Sequence, residues 1–475
     1  MTALATQLGH FGMLSALAQK SIDAGPKTDA TNEYRAIVCI FLSGGNDGNN
    51  IVIPNHNDAN VSNYSAYSAA RASQSLAIPQ ASLLPINVRR IGNLTYGLHP
   101  SFGPVTGGVN NGIHDLWALG KMAVVTNAGT LVQPLTRAQY QSGSAPRPFQ
   151  LFSHSDQTNQ QQTARADAMS LSGWGGRISD KITIPQNPLS LIPTITTLAG
   201  GVFCTGQTTQ PVAIGAAPAP LNSVLALTGY NNTPASNARL DALENSMQLD
   251  GNHELIAASN EINARAIEIS RSLSSSSETT VTFPNTQLGN ELKQVARMIK
   301  SRAVLNANRQ IFFCSMGGFD THTGQIAGQA GLLSQLSQAS RAFFDEMTAQ
   351  GLSNQVTQFT LSDFSRTFNP AGSGGNAGSD HAWANHMFVM GGAVLGGDFF
   401  GVDTSNGTPY PTLVQDGPDD ADSGGNARGR WIPTTSVDQY AATLAKWFEL
   451  PEADMEYVFP NLRNFPTTNL GFMMP

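Results

Sequence analysis

Five short polar motifs carry residue types that can do chemistry. They are Ser43-Gly44-Gly45-Asn46-Asp47-Gly48, Ser153-His154-Ser155-Asp156-Gln157, Gly317-Gly318-Phe319-Asp320-Thr321-His322, Ser362-Asp363-Phe364-Ser365-Arg366-Thr367 and Ser379-Asp380-His381, with His386 just beyond. Carboxylates and imidazoles that are scattered along a chain and gathered by folding are the ligand types of a divalent-cation site. Zinc, for one, accepts His nitrogen and carboxylate oxygen at roughly 2.0–2.2 Å. Only 12% of the residues are charged, so carboxylates placed in glycine-rich turns stand out as candidates for binding.

Each motif has a chemical reading and a plainer one. Asp47 closes a turn in which Gly44 and Gly45 let the backbone approach an ion, yet Asn-Asp-Gly also favours a tight turn by itself. Asp320 and His322 are two residues apart, so in extended backbone they point to one side and can reach one point; otherwise they hydrogen-bond and staple a loop. Asp363 ends a strand, with Arg366 three residues on. That guanidinium either pairs with the carboxylate or clamps an anionic ester, because its fork matches two oxygens. His381 follows Asp380 and the glycine-rich stretch Gly372–Gly378, which could fold over a site. His386 reads as a supporting or core residue.

His154 and Ser155 are the candidate catalytic pair, with Arg366 steadying the anion. Ser155 stands at the amino end of an expected helix, where N–H groups favour an alkoxide and a phosphate or sulfate; the same Ser-x-Asp pattern is also a simple helix cap. No Gly-x-Ser-x-Gly elbow, phosphate-binding loop or His-Glu-x-x-His occurs. The first strand leads into Gly-Gly-Asn-Asp-Gly and not Gly-x-Gly-x-x-Gly, which disfavours a dinucleotide enzyme. Asp416–Asp422 lacks the spacing of a calcium loop and reads as a solvated turn.

These motifs need elements to hold them. Ala36–Leu42 is a continuous apolar run suited to a strand buried on both faces. A glycine turn leads into Ile51–Pro54, and further strands are expected at Met122–Thr126, Gln310–Ser315 and Val356–Leu361. Helices are expected at His114–Leu119, Ser155–Ala168, Leu240–Leu273, Leu288–Arg302 and Leu332–Gln350, the last stopped by Gly351. Residues 170–235 read as loops with short strands, and Ser274–Ser277 as a flexible break. Strands alternating with helices imply an α/β sandwich with a largely parallel sheet, in which ligands bind beyond the carboxyl ends of the strands. Asp47, Asp320 with His322, and Asp363 all follow strands.

The chain has 475 residues, with no internal repeat and no clear linker. One domain over 31–475 is expected, with an insertion around 178–285. A net charge of −7 without a basic run argues against nucleic acid and an anionic membrane surface. Asn, Gln, Ser and Thr fill the polar quota, which points to life outside the cytoplasm or to a habit of the organism. Cys39 and Cys314 lie in apolar runs, and the three cysteines imply neither a disulfide framework nor a thiolate site. Leu4–Ala18 is small and apolar, and Ala16-Leu17-Ala18 fits a signal-peptidase pattern, although a basic start is absent. Residues 1–30 are read as an export-signal remnant and linker, or as an amphipathic surface helix. No segment could span a membrane.

In this order, the five motifs, together with Gly173-Trp174-Gly175-Gly176-Arg177, Gly429-Arg430, Ile432-Pro433-Thr434-Thr435 and Val458-Phe459-Pro460-Asn461-Leu462, resemble the bacterial domain-of-unknown-function 1501 proteins from about residue 34 onward. That resemblance implies an alkaline-phosphatase-like three-layer α/β sandwich of the alkaline phosphatase and sulfatase superfamily. It also implies export, commonly by a twin-arginine signal, to the periplasm or the exterior. By the looser superfamily likeness, Asp47, Asp320, His322, Asp363 and His381 would hold one or two divalent metals (Zn, Mn or Ca). Phe364 stands where a second ligand would be, and no Cys-x-Pro-x-Arg sulfatase signature is present. The reading is an exported metal-dependent hydrolase of small phosphate or sulfate esters, acting through Ser155 or a water. The alternative is a non-catalytic envelope binding or assembly protein on the same fold.

Overall fold

The run Arg35–Leu42 carries no charge after Arg35 and forms a strand buried along almost its whole length. Alternate side chains enter opposite apolar layers, as the two-residue period of a strand requires. Ala36, Val38, Ile40 and Leu42 join one layer, whereas Ile37, Cys39 and Phe41 join the other. This is the centre of the protein, seen in a computed structural model that describes residues 33–221, 233–248, 254–273 and 278–475.

In chain order the strands are β1 (Arg35–Leu42), β2 (Val52–Pro54), β3 (Leu84–Val88), β4 (Leu94–Leu98), β5 (Met122–Gly129), β6 (Ile195–Thr197), β7 (Val212–Ala213), β8 (Arg309–Met316), β9 (Val356–Ser362), β10 (Asn385–Gly391), β11 (Phe399–Phe400) and β12 (Thr435–Ser436). Among the described residues the main sheet has nine strands in the order β11-β5-β10-β9-β1-β8-β6-β7, with β12 also pairing β5. β10 is antiparallel to both neighbours; the other pairings in this sheet are parallel. β2, β4 and β3 form a small antiparallel sheet. Helices cover both faces. Leu288, Leu292 and Val295 of Gln287–Lys300 pack on one side with Leu333, Leu336 and Phe343 of Gln325–Ala349. Trp174, Ile178 and Ile182 of Trp174–Gln186 pack on the other with Tyr440 and Leu444 of Val437–Trp447. The fold is therefore the expected α/β arrangement with a largely parallel central sheet.

Several boundaries differ from those expected. The helix read as Ser155–Ala168 runs from His154 to Thr163 and ends where Ala164 takes a left-handed φ of 47°. The long helix read over 240–273 is two, Pro234–Ser246 and Glu254–Ser272. The stretch 170–235 contains the helix Trp174–Gln186, with Pro185 in its last turn. Helix Gln325–Ala349 starts one and a half to two turns earlier than its apolar spacing suggests, and this added turn brings Gln325 to the site described below. The expected break at Ser274–Ser277 and the leader at Leu4–Ala18 lie outside the described residues. Cys39, Cys204 and Cys314 are buried free thiols. No helix among the described residues is long and apolar enough to cross a membrane.

One buried group fits poorly with its surroundings. Asp438, in the first turn of Val437–Trp447, is fully buried. Beyond its own backbone N–H, neither carboxyl oxygen meets a hydrogen-bond donor. Burial, offset only in part by that N–H and the Arg177 charge, pushes its pKa up to about 8, because removal from water penalises the ionised form.

Candidate metal centre

The register of the central strands brings three loops side by side. Leu42 lies opposite Met316 in β8 and Ser362 in β9, so β1, β8 and β9 end level with one another. The motifs that follow them emerge as neighbours. Gly44 has a φ of 114°, and a Cβ there would stand 2.5 Å from the backbone nitrogen of Asp320. Glycine is thus what lets the first loop lie against the second. Its N–H donates to Asp363 Oδ1 and Oδ2 at 3.2 and 3.3 Å, which binds the first loop to the third. The third loop runs antiparallel to 379–383: Thr367 N donates to Asp380 O at 2.9 Å, and Arg366 faces His381. His154 joins them as the first residue of its helix.

Two imidazoles and one carboxylate converge. His154, Asp320 and His381 each offer a ligand atom, and these atoms lie within 4.8 Å of one another. His154 Nε2 is 3.1 Å from His381 Nε2, and Asp320 Oδ1 is 3.5 and 3.6 Å from these two nitrogens. His322 Nε2 borders the group, 3.1 Å from both Asp320 Oδ1 and His381 Nε2. Arg366 Nη1 lies 3.4 Å from that His322 nitrogen. The ring orientations are set from behind. His154 Nδ1 donates to Asp363 Oδ2 at 2.7 Å, His381 Nδ1 to the Phe152 carbonyl at 2.8 Å, and His322 Nδ1 to Asp380 Oδ1 at 3.2 Å. Phe364 packs its ring 4.7 Å from both His154 and His381. It stands as a wall against two imidazoles where a further ligand was sought.

The donor set fits a cation. With the Nδ1 protons committed, the neutral rings turn bare Nε2 lone pairs toward one another, a contact that repels unless a proton or a metal lies between. The two rings differ in their titration tendencies. The Asp363 hydrogen bond raises the pKa of His154 against the effect of burial, whereas burial lowers that of His381, helped by the Arg366 charge. Burial pushes Asp320 up, but the Arg366 hydrogen bond and charge outweigh it and hold the carboxyl below the usual range. Ligating histidines held by a carboxylate or carbonyl through the other nitrogen are the common pattern of metal sites.

The sequence-selected residues divide sharply. Asp320 and His381 come together, joined by His154, which was expected to act in catalysis. His322 lies beside them. Asp363 is close by, but its oxygens are taken by His154 and the Gly44 N–H, so it orients the His154 ring. Asp47 is not at this point. Its buried carboxylate pairs with the buried Arg71, accepts from Gln325 Nε2 at 2.5 Å and caps Asn49 N at 3.1 Å. Arg366 is not an open anion clamp either. It is fully buried, and its N–H groups go to the Gly44, Gly45, Phe319 and Ser379 carbonyls and to Asp320. A cation in sequence says nothing of whether its fork turns outward or into the backbone. Sequence reasoning also missed Asp380 as an anchor, although it adjoins His381, and Arg71, which has no motif to mark it.

Ser155 is exposed and lines a groove of about 420 Å³ with Ser43, Gly44, His154, Asp320 and Asp363. Its Oγ donates to Asp156 Oδ2 at 3.2 Å. No side chain caps the helix start beneath it. His386 is a core residue, as expected. It is stacked 5.1 Å from Tyr410, and burial lowers its pKa to about 3. The acidic stretch is not the solvated turn expected. Asp420 is buried and accepts the amides of Asp416, Asp422, Gly429 and Arg430, so its charge organises the loop.

No curated protein matches the chain. Among solved structures, Ps i-CgsB in complex with k-i-k-neocarrahexaose aligns with a TM-score of 0.32 at 10% identity, covering 91% of this chain and 77% of that one. A mutant of alkaline phosphatase PafA aligns with a TM-score of 0.22 at 8% identity, covering 71% and 64%. At these TM-scores neither likeness assigns a fold or an activity. A family model described as "Protein of unknown function (DUF1501)" matches residues 34–412, a span that carries all five motifs, and the chain belongs to that family.

Proposed function

We propose that this protein is a metal-dependent hydrolase of phosphate or sulfate esters, of the alkaline phosphatase and sulfatase type, acting outside the cytoplasm. One observation carries the reading: two oriented imidazoles and a carboxylate meet at the carboxyl end of a parallel sheet, beside an open groove with a serine at a helix start. Three protein ligands with room for a further one is the pattern of a catalytic site and not of a structural one. A divalent cation held by His154, Asp320 and His381 would polarise an ester oxygen and lower the pKa of the attacking hydroxyl or water.

The chain's own groups supply the rest. The helix start at His154 offers N–H groups to an anionic ester. Ser155 would attack phosphorus or sulfur and pass its proton to Asp156; the bond to the ester oxygen breaks, the alcohol leaves with that proton, and water then cleaves the seryl ester to release phosphate or sulfate. Asp363 keeps His154 in the Nδ1–H tautomer. Location outside the cytoplasm rests on the polar composition and the family resemblance. The one-domain reading of 31–475 is retained with it.

The test is hydrolysis of aryl phosphates and aryl sulfates after reconstitution with divalent metals. Wild type should turn over one class of ester. Ser155→Ala should lose turnover with its metal retained, and Asp320→Asn should lose both. A protein that holds no metal and cleaves neither ester would sink the proposal and leave a binding role on this fold.

A further inference from the structure

The cluster also limits which cation, and how many. This rests on the metal-dependent reading above. Of its three ligand atoms, two are imidazole nitrogens and one is a carboxylate oxygen. Apart from Asp320, which also pairs with Arg366, the nearby carboxylates that a hard cation would recruit are committed. Asp363 serves His154 and the Gly44 amide. Asp380 serves His322 and Arg428, the latter at 3.0 Å. Asp47 is met by Arg71, Gln325 and Asn49.

Calcium takes about six to eight oxygen ligands, and magnesium a near-octahedral oxygen shell. Imidazole suits zinc and its neighbours in the transition series. The same accounting fixes the number. A second cation nearby would need a further carboxylate, and besides Asp363 the buried one beneath these loops is Asp47. Its side chain and that of Arg71 are both wholly buried, and Arg71 is further fixed by donating to the Phe368 carbonyl at 2.9 Å. The guanidinium already supplies the positive charge there.

We infer that the chain takes one imidazole-preferring divalent ion of the zinc class through His154, Asp320 and His381, and that Arg71 holds the place of any second cation at Asp47. The experiment is titration of the chelator-stripped full chain with Zn²⁺, Mn²⁺, Ca²⁺ and Mg²⁺, read by calorimetry and native mass spectrometry. One zinc per chain is expected, bound at least about 100-fold tighter than calcium. The double variant D47N/R71Q, which removes both buried charges together, should keep one zinc with little change in affinity. Two ions per chain, calcium or magnesium bound as tightly as zinc, or loss of zinc in a folded D47N/R71Q would each overturn the inference while leaving a metal-dependent protein. Wild-type stoichiometry and selectivity decide the matter should that variant not fold. Retention of no ion at all would defeat the metal-dependent reading itself.

Discussion

Replacing Asp438 by asparagine isolates the effect of one buried carboxyl on stability. Its pKa in the folded protein is raised to about 8 from 3.8. The folded state therefore binds the proton more tightly than the unfolded chain does. Below pH 3.8 both states carry the proton and the group adds no pH-dependent cost. As pH rises above 3.8 the unfolded state gains by ionising while the folded state cannot, so stability is lost progressively until pH reaches about 8. Each pH unit in that window is worth ~1.4 kcal/mol, giving a total of roughly 4 kcal/mol at neutral pH. Asparagine has no charge to lose, though its buried amide carries a fixed cost of about 1–3 kcal/mol if it stays unpaired. That cost does not vary with pH. The readout is the stability difference between Asp438→Asn and wild type by urea unfolding at pH 5 and pH 7. The variant's advantage should grow by roughly 2–3 kcal/mol between the two. Parallel pH curves for the two proteins would refute the reasoning.

Two further substitutions probe the site. Asp363→Asn should weaken zinc binding about 10–100-fold, as loss of a partner behind a ligating histidine typically does; calorimetry that shows complete loss, equal to that of Asp320→Asn, would make Asp363 a ligand. Gly44→Ala should destabilise the protein by about 1–3 kcal/mol through its positive φ, with an added clash against the Asp320 backbone, and unchanged unfolding would contradict the close approach of the two loops.

Much of the scaffold could be read in advance because its signals are local. The apolar runs in β1 and β8 had no alternative to burial, and the turns after β8 and β9 placed Asp320 and Asp363 beyond strand ends. The level register of those ends, with Leu42 opposite Met316 and Ser362, is what makes separate motifs neighbours, and local spacing is silent about it. The site was harder to read for the same reason. Residue type marks Asp47 and Arg366 as candidates. Their roles depend on which way a buried side chain turns, and that is decided by Arg71, Gln325 and the loop carbonyls far along the chain. His154 was read as a catalytic group, and Asp363, the partner that orients its ring, lies far along the chain. Helix lengths went astray where polar residues such as Gln157, Gln160 and Gln161 are buried, since an apolar stripe is then a poor guide to the inward face.

Arg366 clasps the loops through main-chain oxygens, which every amino acid carries. Side chains that bring those oxygens can therefore change without undoing the clasp. Descendants of this chain could reshape the groove's rim, and so its choice of guest, while the cradle beneath keeps its form.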